Sequence, residues 1–104
     1  MKFGIPDRTI LKIRKVFEKY PEIDSAIIYG SRAKGNYREG SDIDLTLLGS
    51  GINLTVLNKI SNELDDLLLP YLIDLSSYSQ IANLDLLDHI KRVGLKFYEK
   101  EPHI

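Results

Sequence analysis

Residues 29–45 read YGSRAKGNYREGSDIDL, and this segment guides the interpretation of the rest of the chain. A Gly30-Ser31 turn stands ten residues ahead of the pair Asp42-x-Asp44. Two carboxylates separated by one residue on a strand project from the same face, with backbones about 7 Å apart. Such charges repel each other, and Mg²⁺ turns the repulsion into binding because it prefers oxygen ligands and keeps substrate phosphates in its shell. The segment therefore indicates phosphoryl or nucleotidyl transfer.

The carboxylate pair is predicted to lie on a half-buried strand. Apolar and polar residues alternate from Asp42 to Leu48, which is the period of a strand with one face in the core. The apolar face is expected to be buried and the carboxylate face open. The apolar face comprises Ile43, Leu45 and Leu47, and the other face comprises Asp42, Asp44 and Thr46.

Glycine and proline divide the remainder of the chain into further elements. Helices are predicted where apolar residues recur at helical spacing, with Asp7 and Asn83 as N-caps. Strands are predicted where short apolar runs are rich in strand-forming residues. The result is a single domain over residues 1–104 in which helices and strands alternate. The predicted helices are 7–20, one turn at 31–35, 54–67 and 84–93, and the predicted strands are 25–29, 42–48, 71–75 and 96–98.

Composition excludes several classes of protein. The chain is 43% hydrophobic and 28% charged, as in ordinary soluble globular proteins. No apolar run approaches the roughly 18 residues that span a bilayer, and no signal-peptide core is present, so a cytoplasmic location without membrane contact is expected. The net charge of −1 provides no basic field, so direct nucleic-acid binding is not expected. The absence of cysteine excludes disulfides, thiolate metal sites and a Cys nucleophile.

The Gly30-Ser31 turn is interpreted as the phosphate-binding part of the site. Glycine lets the backbone approach a phosphate and offers its N–H, and the Ser31 hydroxyl adds a donor. Arg32, Lys34 and Arg38 place positive charges in the same loop, which suits a triphosphate and the pyrophosphate that leaves it. Arg32 and Lys34 are therefore nucleotide-binding candidates. The alternative, a merely solvated basic surface, fits Arg38 better than Arg32.

Asp74 supplies a third carboxylate. It lies in an otherwise apolar strand, so its charge either faces solvent or has a partner. If this strand lies beside the one that carries Asp42 and Asp44, the three carboxylates form a two-metal site that clamps both ends of an in-line displacement. Asp74 is then also placed to accept the proton of the attacking hydroxyl as a general base. The simpler alternative is an exposed aspartate at a strand end.

These residues resemble a known family. The Gly30-Ser31 turn, the pair Asp42-x-Asp44 and Asp74 on a later strand are similar to the minimal nucleotidyltransferases (MNT) of the DNA polymerase beta superfamily. The resemblance covers nearly the whole chain and implies a polymerase beta palm-like fold, which is α+β with a small mixed β-sheet covered by helices. It implies that Gly30 and Ser31 hold the triphosphate of ATP. It further implies that Asp42 and Asp44 bind Mg²⁺, and that Asp74 completes the metal site and activates the acceptor.

The resemblance also implies a partner. Larger family members carry a helical acceptor-binding domain, which this chain is expected to lack, whereas minimal members are typically encoded beside a small helical HEPN-domain protein. In those pairs the HEPN protein resembles a toxic ribonuclease, and the nucleotidyltransferase is its antitoxin because it transfers AMP from ATP to a tyrosine of the partner. We therefore expect a protein adenylyltransferase that uses ATP and two Mg²⁺ ions. Base preference, the number of AMP units and a homo- or hetero-oligomeric state stay open.

Three other functions are considered. A P-loop is suggested by Gly30-x-x-x-x-Gly35, but Asn36-Tyr37 stand where Lys and Ser or Thr are required, so it is set aside. A pure binding module would neutralise its partner by covering it, without chemistry. A nucleotidyltransferase that modifies a small molecule such as an aminoglycoside would need a separate substrate-binding subunit.

Histidine and tyrosine residues outside the motif receive structural interpretations. His89 on the last predicted helix and His103 on the tail have no neighbouring ligand residues, so they are expected to be surface groups rather than metal ligands. Tyr37, Tyr71 and Tyr78 have rings that can stack on a base, but aromatic packing at the sheet edge is the favoured interpretation.

Overall fold

The computed structural model describes residues 1–102, so the prediction made for His103 lies outside the described residues. None of the helices in this range combines the length and the apolar character that crossing a membrane requires. The helices are α1 (Asp7–Glu18), α2 (Gly30–Lys34), α3 (Leu54–Asp65) and α4 (Leu84–Val93), and a 3₁₀ turn spans Tyr78–Gln80. The strands are β1 (Ser25–Tyr29), β2 (Ile43–Leu48), β3 (Ile73–Ser77) and β4 (Leu95–Glu99).

The strands form one mixed sheet in the order β3-β2-β1-β4. β1 is antiparallel to both β2 and β4, whereas β2 and β3 are parallel. A parallel pair needs a crossover connection, and α3 supplies it between β2 and β3. The structure thus confirms the predicted α+β fold, a small mixed sheet covered by helices.

The two faces of the sheet carry different helices. α1 and α3 bury their apolar stripes against one face, and the hydrophobic core lies there. α4 lies against the opposite face, because His89 contacts Tyr29 and Gly94 lies close to Ile27. The opposite face stays exposed at Asp74. The core includes Ile13 and Phe17 of α1, Ile60 and Leu64 of α3, and Ala26, Ile28, Ile43, Leu45 and Leu47 of the strands.

An irregularity in the pairing of β1 with β4 turns two neighbouring aromatic side chains toward α1. The register shifts between Ala26 and Ile27. The rings of Phe97 and Tyr98 therefore both contact the Phe17 ring, with centroid distances of 6.4 and 5.7 Å. A shift of this kind has that effect because successive side chains then no longer alternate strictly between the two faces. The core gains two aromatic rings from adjacent positions of one strand.

Helix ends agree in part with the sequence. α4 begins and ends where it was predicted, and the Asn83 side chain accepts a hydrogen bond from the Leu86 N–H at 3.1 Å, which confirms the predicted N-cap. The prediction that Asp7 caps α1 was wrong. Asp7 is the first helical residue and follows Pro6, whose fixed φ suits the residue before a helix, so no side-chain cap is made.

Strand ends follow the pairing rather than the local pattern. β3 begins and ends two residues later than predicted, because the parallel ladder pairs Ile43 with Ile73 and Leu47 with Ser77. β2 begins at Ile43, so Asp42 stands immediately before the strand and not within it. The apolar face of the strand is nevertheless buried as predicted.

We predict that Phe97→Ala lowers the free energy of unfolding by about 3–5 kcal/mol, because Phe97 is fully buried and its removal leaves a cavity beside α1. Urea denaturation monitored by circular dichroism measures this change. Leu95→Ala on the same strand is the matched control. Leu95 is 46% exposed, so its truncation is expected to change the free energy of unfolding by no more than about 1 kcal/mol. Equal losses in the two variants would contradict the assignment of Phe97 to the core.

Candidate functional site

The register of β2 and β3 brings two of the predicted carboxylates side by side. Asp44 pairs with Asp74 across the parallel ladder, so both side chains leave the same face of the sheet. Asp42 lies two residues before Asp44, immediately before the first residue of β2. Asp42 and Asp74 are exposed, and Asp44 is half-buried. β3 therefore lies beside β2, as the prediction of converging carboxylates required.

The Gly30-Ser31 turn lies against the Asp44 carboxylate. Tyr29, the last residue of β1, pairs with Asp44, and Gly30 then begins α2 with a φ of 72°. A Cβ atom at Gly30 would overlap the Asp44 carboxylate. The backbone angle therefore favours glycine at this position, and a larger residue would also displace the Asp44 carboxylate. The structure brings together the two halves of the motif, the turn and the carboxylate pair, as parts of one surface.

His89 also belongs to this surface. The Gly30 N–H donates a hydrogen bond to His89 Nε2 at 3.1 Å, and the His89 ring meets the Tyr29 ring edge-on, with centroids 6.1 Å apart. His89 is half-buried, so its interpretation as a surface group was wrong. The Gly30 N–H, expected to be offered to phosphate, already has a partner here. No local pattern predicted this contact, because the two residues are 59 positions apart and meet only when α4 packs on β1.

The pKa of Asp44 is affected by both of the other carboxylates. Burial raises the pKa of Asp44, the charges of Asp74 and Asp42 raise it further, and His89 acts in the opposite direction. A divalent cation would relieve this repulsion, and carboxylate oxygens are the ligands that Mg²⁺ prefers. Within residues 1–102, no three acidic, histidine or cysteine side chains already stand at metal-binding separations. The donors therefore suit Mg²⁺ chemically, although their geometry is not preformed.

A buried polar layer lies next to the carboxylates. Thr46 was expected to share their open face, but it is fully buried, which corrects that prediction. The Ser76 hydroxyl donates to Thr46 Oγ1 at 2.9 Å across the β2–β3 ladder. Burial raises the pKa of Tyr29, the Ser76 hydroxyl lowers it, and the charges of Asp74 and Asp44 raise it. Packing explains the burial of Thr46, because the 3₁₀ turn after β3 contacts β2, whereas Asp44 on the same strand stays half-buried.

Arg32 is buried and its guanidinium binds backbone carbonyls. Its side chain is only 3% exposed. Nε and Nη2 donate to the Ser41 carbonyl at 3.0 and 2.7 Å, and Nη1 donates to the Phe3 carbonyl at 2.9 Å. The rings of Tyr37 and Tyr71 lie 5.3 and 5.0 Å from the central guanidinium carbon, at distances where cation–π attraction acts. These contacts hold the backbone immediately before the first carboxylate.

The other predicted nucleotide-binding residues lie on or after α2. Ser31 is half-buried and directly follows Gly30, and Lys34 is exposed at the last residue of α2. Arg38, in the loop before β2, is exposed, as expected for a solvated residue. Triphosphate contacts by Ser31, Lys34 and Arg32 stay predictions. For Arg32, the observed hydrogen bonds favour a positioning role.

Comparisons with known proteins agree with this geometry. The family model "Polymerase beta, Nucleotidyltransferase" matches residues 11–103. The curated proteins contain no significant match. One chain of a toxin–antitoxin crystal structure with AMP-PNP superimposes with a TM-score of 0.70 and 18% identity, covering 93% of this chain and 76% of that chain.

Two further solved structures have the same fold. A chain from the complex of tri-AMPylated Shewanella oneidensis HEPN toxin with MNT antitoxin gives a TM-score of 0.66 at 18% identity, over 89% of this chain and 71% of that chain. A chain of the MntA–HepT toxin–antitoxin structure gives a TM-score of 0.68 at 18% identity, and the match covers 91% of this chain and 74% of that chain. Likeness at this identity demonstrates a shared fold and no more.

We predict that Arg32→Met lowers the free energy of unfolding by roughly 2–4 kcal/mol, because two partly buried carbonyls lose a charged donor. Arg32→Lys is expected to lose nearly as much, since an ammonium lacks the planar fork that reaches both carbonyls. Urea denaturation measures the change. The exposed Arg38→Met is the matched control and is expected to shift the free energy of unfolding by about 0.5 kcal/mol or less. Arg32→Met as stable as the control would contradict the positioning role.

We predict that Asp44→Asn raises the free energy of unfolding at neutral pH. Because the folded-state pKa of Asp44 is raised above its ordinary 3.8, the folded protein binds the proton more tightly than the unfolded chain. Stability then falls as pH rises from the unfolded pKa through the folded pKa. The advantage of Asp44→Asn should therefore disappear below about pH 3.8, where Asp44 is protonated in both states.

Denaturation midpoints across this pH range, with exposed Asp24→Asn as the matched control, measure the effect of Asp44→Asn. A neutral-pH loss of stability in Asp44→Asn would show that the carboxylate is stabilised rather than repelled in the folded protein.

Proposed function

This chain belongs to the polymerase beta nucleotidyltransferase family, and from that premise we propose that it transfers AMP from ATP to a tyrosine hydroxyl of a HEPN-domain partner, which it neutralises as an antitoxin. The observation that carries the proposal is the pairing of Asp44 with Asp74 beside the Gly30 turn. Carboxylates that suit a cation thus stand next to a turn whose positive backbone angle favours glycine. Nucleotidyl transfer needs both features at one place.

The residues divide between the nucleotide and the acceptor. We assign the triphosphate to the Gly30-Ser31 turn and to Lys34 at the end of the same short helix. Asp42 and Asp44 would hold Mg²⁺, and Asp74 would complete the site on the side of the acceptor. Support comes from the pKa of Asp44, which burial and then the charges of Asp74 and Asp42 raise, because a bound cation would relieve this repulsion. Bound Mg²⁺ would neutralise phosphate oxygens and orient both ends of the displacement.

The proposed reaction is an in-line substitution at the α-phosphorus of ATP. The acceptor hydroxyl oxygen forms a bond to the α-phosphorus, and the bond from that phosphorus to the oxygen bridging the β-phosphate breaks. Pyrophosphate leaves with that oxygen, and AMP stays on the acceptor. Asp74 accepts the hydroxyl proton, a role that suits it because it is exposed at the open edge of the sheet.

The proposed partner is supported by the structural neighbours. One of them is a complex of MNT antitoxin with a tri-AMPylated HEPN toxin, and another contains AMP-PNP, an ATP analogue. Together with the family and the carboxylate geometry, these neighbours favour ATP as donor and a HEPN-domain protein as acceptor. A cytoplasmic location stays a prediction made from the sequence.

We predict that incubation of the HEPN-domain partner with this chain, ATP and Mg²⁺ raises the partner's mass in steps of one adenylyl group. Intact-mass spectrometry measures the gain, and removal of Mg²⁺ with a chelator should abolish it. Asp44→Asn and Asp42→Asn are expected to reduce the transfer rate by at least about a hundredfold, because the cation loses a ligand. Asp24→Asn is the matched control, with the same chemical change at an exposed position away from the sheet face.

The outcomes separate this proposal from the alternatives. Association without a mass gain, unchanged in Asp44→Asn, would contradict the proposal and favour a binding module that covers its partner. Label transfer from ATP to an aminoglycoside, with none to the HEPN-domain protein, would assign the enzyme to a small-molecule acceptor.

A further inference from the structure

A hydrogen bond connects α4 to the turn of the candidate site. The Gly30 N–H donates to His89 Nε2 at 3.1 Å. The helix that carries His89 is held at both ends. The Asn83 side chain caps its start, and at its end a Cβ atom on Gly94 would overlap the neighbouring backbone and the Ile27 side chain. The position of the imidazole is therefore determined by a helix that is packed tightly on β1.

The direction of this bond defines the chemical state of His89. In this contact Nε2 is the acceptor, and an imidazole nitrogen accepts a hydrogen bond only when it carries no proton. The Gly30 N–H is the first of α2, and the first N–H groups of a helix have no partner within it. His89 supplies that partner from a distant part of the chain.

The hydrogen bond from Gly30 to His89, here called the tether, matters because the turn is formed by a glycine. Glycine suits the positive φ of 72° at position 30, but it also lets the backbone rotate more freely than any other residue. A turn that moves relative to Asp44 would displace a triphosphate from the carboxylates, and catalysis is sensitive to shifts of about 1 Å. The bond from Gly30 to His89 removes this freedom.

We propose that His89 is a positioning residue for nucleotidyl transfer: its Nε2 holds the Gly30 N–H and keeps the Gly30-Ser31 turn at the distance from Asp44 that a triphosphate can bridge. The inference concerns the same site as the proposed function and rests on it for the reaction. The tether itself is a property of the protein without nucleotide. His89 acts through the turn and contacts neither phosphate nor acceptor.

Three substitutions test the tether. His89→Gln places an acceptor oxygen near the position of Nε2, His89→Asn is too short to reach Gly30, and His89→Leu has no acceptor. The exposed Lys91→Gln on the same helix is the matched control. Amide hydrogen exchange at Gly30, followed by NMR without nucleotide, measures the bond. Calorimetric titration with ATP and Mg²⁺ measures affinity, and steady-state transfer to the HEPN-domain partner separates KM from kcat.

We expect faster Gly30 exchange and about tenfold weaker ATP binding in His89→Leu and His89→Asn, the equivalent of one hydrogen bond. KM for ATP should rise more than kcat falls. His89→Gln and Lys91→Gln should keep wild-type exchange and affinity. Thermal unfolding verifies that each variant is folded. If the apolar His89→Leu does not fold, His89→Asn still provides a variant without the hydrogen bond to compare with His89→Gln.

Two results would overturn the inference. One is wild-type Gly30 exchange and ATP affinity in His89→Asn, and the other is a loss in His89→Gln as large as in His89→Asn. If the wild-type protein transfers no AMP to the HEPN-domain partner, the proposed function fails. The exchange and ATP-affinity measurements still decide whether His89 positions the turn, so the two failures are distinguishable.

Discussion

The parallel ladder between β2 and β3 is the contact on which the candidate site depends. Its register pairs Asp44 with Asp74 and, on the other face, packs Ile73 and Leu75 against the core. Side chains alternate along a strand, so a slip of one residue would direct Asp74 into the core and expose its apolar neighbours. Burial of the apolar face therefore enforces the register that brings the carboxylates together. The same free energy that folds the sheet holds two like charges side by side.

The pairing of Asp44 with Asp74 lowers the stability of the fold at the site where catalysis is proposed. Asp44 is half-buried, faces two other carboxylates and has a raised pKa, a combination that a purely structural site would avoid. A carboxylate with a raised pKa beside two others at an open edge, next to a turn whose backbone angle favours glycine, is the pattern expected of a functional site. Thr46, which lies on the same face of β2 as Asp44, is fully buried, so the polar opening on this strand lies at the end that carries the carboxylates.

Two side chains hold the motif from opposite sides. Arg32 binds the Ser41 and Phe3 carbonyls and so secures the loop that leads to Asp42. His89 binds the Gly30 N–H and secures the turn. Both residues have chemistry that suits a nucleotide, but in the folded protein the Arg32 guanidinium and His89 Nε2 are hydrogen-bonded to backbone groups. A basic or imidazole side chain close to a phosphate-binding motif can thus belong to its support rather than to its contacts.

The sequence by itself determined the elements and the chemistry of the motif. Apolar spacing and the Asn83 cap predicted α4, the alternation from Asp42 to Leu48 predicted which face of β2 is buried, and the resemblance carried by the Gly30-Ser31 turn and the carboxylates predicted the family. These features could be predicted because they depend on neighbouring residues and their periodicity.

Only the tertiary structure decided the pairing of Asp44 with Asp74, the burial of Arg32 and Thr46, and the bond between Gly30 and His89. Each of these contacts joins parts of the chain that are distant in sequence, or depends on which helix covers which face, and packing of the whole sheet alone sets those distances.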